Sequence, residues 1–212
     1  MGDTADDTLD EFFARLATVP APSDAEFLYA DDDAGRMRAR NLRRYLDGVG
    51  RSASIMLLGE APGWRGMTVT GVPFVSAREA APDGPATRAI GPLELPEHPQ
   101  APWEASSRVV WAALASWEGP LPVTWPIYPH HPFVAGDALT NRTPRPPEVR
   151  AGTAVALELV RALGIETVVA VGRKAQGALA AEGVAAQAIR HPAQGGARLF
   201  TEQLAELGRS RR

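Results

Sequence analysis

The chain has 212 residues with a net charge of −3 and no cysteine, which excludes disulfides, thiolate zinc sites, iron–sulfur clusters and a cysteine nucleophile. Its length and 45% apolar content fit one globular domain able to bury a core without staples. The acidic start "MGDTADDTLDEFFARL" does not read as a signal peptide, no apolar run is long enough to span a membrane, and a cytoplasmic monomer is expected. Charge is unevenly spread. Residues 1–33 hold ten acids and one base, while the rest of the chain carries 21 bases and 15 acids. The reading is an acidic N-terminal segment (1–33) ahead of a mildly basic domain (34–212), a balance that allows local phosphate binding.

Residues 8–17 read as a short amphipathic helix with Leu9, Phe12, Phe13 and Leu16 on one stripe, followed by a polar, proline-bearing connection. A second helix is expected over 34–49. Met37, Leu42 and Tyr45 face inward there, and five arginines form a solvated face. The pattern then changes to apolar runs ended by turn residues. Strands are expected over 54–59, 121–128, 166–172 and 184–192, with helices over 105–117, 147–163, 173–182 and 196–208. Segment 75–104, rich in Pro, Ala and Gly, reads as a long surface loop. Strand–helix alternation implies an α/β fold, a single three-layer α/β/α domain around a four-stranded parallel sheet.

In such sheets ligands bind at the carboxyl ends of the strands. The segments there are "GEAPG", "YPHHP", "GRKA" and "RHPAQGG", and three of the four histidines (His130, His131 and His191) fall in them. Glu60, at the end of an apolar strand, is costly unless hydrated or hydrogen-bonded, so it reads as functional or as a capping or ion-pairing group. No G-x-G-x-x-G accompanies the strands, so dinucleotide binding is not supported. Adjacent His130 and His131 lack the spacing of a metal site, and no metal or other cofactor is expected.

The series "GEAPG…GVPF", "NRTP…E", "AVGRKA" and "RHPAQGG" resembles the uracil-DNA glycosylase superfamily over roughly residues 54–208. It is closest to the branch with Gly-Glu-Ala-Pro-Gly and His-Pro-x-x-Gly-Gly motifs, here without the iron–sulfur cysteines. The resemblance implies hydrolysis of the N-glycosidic bond of uracil, or of another deaminated or modified base, in DNA. It implies a damaged base flipped out of its stack or taken from a single strand. His191 is then the donor to the base oxygen that becomes negative, and Glu60 the group that positions water or offsets sugar charge. Phe74 stacks on the base, and Gly59, Ala61, Pro62 and Gly63 form the pocket wall. Relatives often hold Asp or Asn where Ala61 stands, and an asparagine near the position of Pro126. Either a backbone group or a side chain such as Tyr128, His130, His131 or Asn141 then substitutes for that asparagine, or specificity has shifted. Arg142, Arg173, Lys174, Arg190, Gln194, Gly195 and Arg198 are expected along the DNA. Two other readings remain at this point: a glycosylase for a different base, and a non-catalytic nucleic-acid-binding member of the fold.

Overall fold

The computed structural model describes residues 4–99 and 101–210. Helix α1 (Thr4–Leu16) buries Leu9, Phe12 and Leu16 in the main core, so part of the acidic segment belongs to the packed body. A two-residue strand β1 (Ala25–Glu26) follows, and then α2 (Asp33–Gly48), whose start is capped by the Asp32 carboxylate accepting from Gly35 N–H. The α2 arginines pair largely with acids of the N-terminal segment. Arg36 meets Asp31 and Asp33, Arg38 meets Glu26, and Arg43 meets Asp10. The charge imbalance along the sequence is thus partly cancelled in space.

The sheet begins with β2 (Ile55–Gly59), buried along its whole length. Short helices α3 (Met67–Thr70) and α4 (Pro85–Ile90) precede α5 (Ala105–Leu114) and β3 (Val123–Pro126). A two-residue strand β4 (His131–Pro132) pairs antiparallel with β1. Then come α6 (Pro146–Ala162), β5 (Thr167–Val171), α7 (Arg173–Ala181), β6 (Gln187–Ile189) and α8 (Ala197–Arg209). The four long-range strands are parallel in the order β3-β2-β5-β6. Helix α1 packs on α6 and α6 on α7, while α5 packs on α8. This is the expected three-layer α/β/α domain. Met56, Leu57 and Leu58 are at most 1% exposed, and burial of each such side chain is worth about 1.5–3 kcal/mol.

Two expectations need correction. The region 75–104 is not a surface loop: it contains α4 and buries Val75, Ala77, Ala80, Ala86, Ile90 and Leu93. A buried polar anchor holds it down. Asn41 Nδ2 donates to Thr70 O (2.9 Å) and Glu94 O (2.8 Å), and its Oδ1 accepts from Glu94 N–H (2.8 Å). The strand expected over 121–128 stops at Pro126, which sits on the edge strand β3, where a missing N–H is tolerated.

Candidate active site

The carboxyl ends of β2, β3 and β5 open into one cavity of about 330 Å³, at the small end of the range for ligand pockets. Residues 59–63 form one wall. Gly59 must be small: a Cβ there would lie 3.2 Å from Cζ of Phe74, so the ring rests against the bare backbone. Phe74 itself has φ of 55°, which a bulky residue adopts only under strain. Trp111 Nε1 donates to Phe74 O at 3.0 Å and helps hold that conformation. Strain of this kind, held by its surroundings, is common where a side chain must be aimed.

His191 enters from the loop after β6. Its Nδ1 accepts a hydrogen bond from Ala193 N–H at 3.1 Å. A backbone amide can only donate, so in the neutral ring the proton resides on Nε2. Burial lowers the pKa of His191; the Glu60 carboxylate opposes that effect and the Arg190 and Lys174 charges add to it. The ring is therefore a neutral donor through Nε2 over most of the physiological range. Its seat needs a glycine, since a Cβ on Gly172 (φ +92°) would meet His191 Cβ at 3.2 Å.

Glu60 is one-third exposed and ion-paired. Lys174 Nζ, in the first turn of α7, lies 2.7 Å from Glu60 Oε1 and 2.5 Å from Thr143 Oγ1. Thr143 serves this cluster and does not cap α6. The cap role at α6 falls to Glu148, whose Oε2 accepts from Arg145 N–H at 2.6 Å.

Asn141 reaches the opposite side with its orientation set by two donors to its Oδ1. Its Oδ1 accepts from Trp64 N–H at 3.1 Å and lies 3.2 Å from His131 Nε2. That nitrogen also contacts Thr140 O at 2.9 Å, a pure acceptor, so Nε2 carries a proton. The Asn141 Nδ2 group is left as the donor toward the cavity.

The cavity thus gathers Gly59, Glu60, Ala61, Pro62, Gly63, Phe74, Asn141, Arg142, Lys174, His191 and Gln194 of the expected residues. Others lie elsewhere. Tyr128 is fully buried and donates its hydroxyl to Pro20 O at 2.8 Å, so it does not read a base. His131 is also buried and acts behind Asn141 rather than on a ligand. Its neighbour His130 faces Val19 O at 3.1 Å. The connection after α1 covers the end of β3 and takes up the polar groups of Tyr128 and His130. Arg142 borders the cavity, but its guanidinium is committed to Asp24 (3.0 Å) and Glu148 (2.6 Å) rather than free for DNA. Arg173, Arg190, Gly195 and Arg198 do not line the cavity; Arg198 pairs with Glu202 at 2.7 Å. Gln194 has φ of 52° and Gly195 of 74°, so the loop after His191 turns sharply at an exposed tip.

Met67 and Ser106 line the cavity without having been anticipated, and so does Glu104, at the N-terminal end of α5. It lies in the stretch read as a loop, where no periodic pattern singled it out. Arg78 N–H donates to Pro102 O at 2.8 Å and Ala101 is buried, which brings the segment over the cavity. Burial raises the Glu104 pKa and the Glu79 carboxylate adds to the rise, while Ser107 donates to Glu104 Oε2 at 2.8 Å and lowers it. Among the described residues no group of three or more His, Asp or Glu side chains is placed to hold a metal ion. No helix among them is long and apolar enough to cross a membrane.

Neither a scan of family models nor a search of curated proteins returns a match to this sequence. The three-layer α/β/α fold, however, is found among solved structures. The crystal structure of wild-type Pedobacter heparinus SMUG2 matches the chain with a TM-score of 0.69 over 99% of both chains, at 15% sequence identity.

Proposed function

We propose that the protein is a DNA glycosylase that hydrolyses the N-glycosidic bond of uracil, or of a related deaminated base, and leaves an abasic site. The observation that carries this reading is His191. It is a partly buried neutral imidazole, tautomerically set by Ala193 N–H, in a cavity walled by Gly59–Gly63 and Phe74. Bond cleavage leaves negative charge on the departing base and positive charge on the sugar, and preorganised groups for both are the largest source of acceleration. His191 Nε2–H would stabilise the base oxygen. The Glu60 carboxylate, oriented by Lys174, would face the sugar cation and the incoming water. Phe74 would stack on the base, a contact worth about 1–3 kcal/mol. The fold shared with SMUG2 supports the same reading. DNA is the partner this implies, and a nucleoid location follows from it.

The direct test is release of base from single- and double-stranded oligonucleotides containing uracil, hypoxanthine, xanthine or 5-hydroxymethyluracil. Release of one or more by the wild type, and its loss in His191→Ala, is expected. No release of any base by micromolar enzyme would overturn the proposal in favour of a DNA-binding role.

A further inference from the structure

The position of Pro126 lacks the asparagine that would present a donor and an acceptor side by side to a base edge. Asn141 replaces only half of that pair, because its Oδ1 is occupied by Trp64 N–H and His131 Nε2–H. A base edge bearing a carbonyl beside a ring N–H still needs an acceptor.

Glu104 has the placement to supply it. A Cβ built on Gly63 would lie 2.7 Å from Glu104 Oε1 and 3.6 Å from Asn141 Nδ2, so both atoms border the same gap in the cavity wall. A Cβ on Gly66 would lie 2.4 Å from Glu104 Oε2. The two glycines are therefore the cradle of this carboxyl group. Its Oε2 is engaged by Ser107, which is fully buried. Its Oε1 has no hydrogen bond and no ion-pair partner among the described residues, yet it is not sealed from the cavity. Keeping a carboxyl group in a partly buried wall without a cation is costly unless a ligand completes it.

Resting on the glycosylase reading, we infer that Glu104 Oε1 and Asn141 Nδ2 together read the base edge, as acceptor for the ring N–H and donor to the adjacent carbonyl. In either protonation state a carboxyl oxygen keeps a lone pair for this role. The substrate class is then a base with a lactam edge, C=O next to N–H, as deamination produces. An amino base presents the reverse pattern: its amino group would meet the Asn141 donors. Each mismatch leaves a polar group unpaired inside the pocket.

The test is equilibrium binding of single-stranded oligonucleotides carrying 2′-fluoro nucleosides, whose glycosidic bonds resist cleavage. Uracil is compared with cytosine and hypoxanthine with adenine in the same sequence. The wild type should prefer the lactam member of at least one pair by roughly five- to a hundredfold. Glu104→Ala and Asn141→Ala should each bring the ratio close to one. Glu104→Gln, which keeps a carbonyl oxygen, should retain part of the preference. His191→Ala should keep the preference while losing base release from ordinary deoxynucleosides. A folded Glu104→Ala with the wild-type ratio overturns the inference and leaves the glycosylase reading standing. If that variant does not fold, an unchanged ratio in Asn141→Ala overturns it. A wild type with no preference in either pair also overturns it, whereas failure to release any base counts against the glycosylase reading alone.

Discussion

The backbone N–H of Ala193 points at Nδ1 of His191 from 3.1 Å, two residues along the same loop. This contact selects the Nε2–H tautomer without any carboxylate partner, and protonation at Nδ1 would set two donors against each other. Base release is therefore expected to fall on acidification only below the ordinary histidine range, because burial lowers the His191 pKa. A rate profile against pH checks this. His191→Ala is expected to cost about 10²–10³ in single-turnover rate, the usual consequence of losing one preorganised donor.

Glycine at position 172 is demanded twice, by its φ of +92° and by the 3.2 Å approach of His191 Cβ. Gly172→Ala is expected to destabilise the fold by about 1–3 kcal/mol and to lower activity by displacing the imidazole. Urea unfolding and the uracil assay measure the two effects separately.

Tyr128 is a structural group. Tyr128→Phe removes the bond to Pro20 O and should lower stability by about 1 kcal/mol, with base release unchanged. A fall in kcat larger than the change in folded fraction would return Tyr128 to the site.

His130 carries a pH-dependent stability term. Burial pulls its pKa from the usual 6.5 to about 4, and the contact with Val19 O only partly opposes this. The unfolded chain therefore binds this proton first as the pH drops. Stability from His130 is complete above about pH 6.5 and is lost as pH falls to about 4, on the order of 3 kcal/mol in all. Chemical unfolding across that interval should show the slope, and His130→Asn should flatten it.

Arg142 lies between Asp24 and Glu148, all three side chains at most 14% exposed. Its removal would leave the two carboxylates with only the half-exposed Arg145 as a cation. Arg142→Ala is expected to lower the melting temperature far more than Arg198→Ala, whose ion pair is exposed. Arg145 and then Arg142 hold the Asp24 carboxyl well below the ordinary carboxylate range, and against the opposing effect of burial Arg142 holds Glu148 below it too, so the stability these carboxylates contribute should persist into acid pH and be lost only as they protonate.

The apolar runs around Leu57 and Val169 and the 3.6-residue stripes of α6 and α8 made the sheet and its main helices readable to within a few residues. Such patterns report the burial of an element, which is a local property of the chain. The motif order likewise led to Glu60, Phe74, Asn141 and His191, because strand ends bring their loops to one edge of a parallel sheet. Tertiary structure decided what each polar group meets. Tyr128, His130 and His131 follow a strand end as well as any site residue does, yet the connection after α1 supplies the partners of Tyr128 and His130, and the segment at Thr140 and Asn141 supplies those of His131. Glu104 lies 44 positions after Glu60 in a stretch without periodicity, and only the folding-over of that stretch brings it to Gly63. Sequence alone determined the layers and the edge where chemistry belongs. Which side chains face the cavity was decided by packing between distant segments, since a hydrogen bond over 2.7–3.2 Å depends on partners that no local pattern encodes.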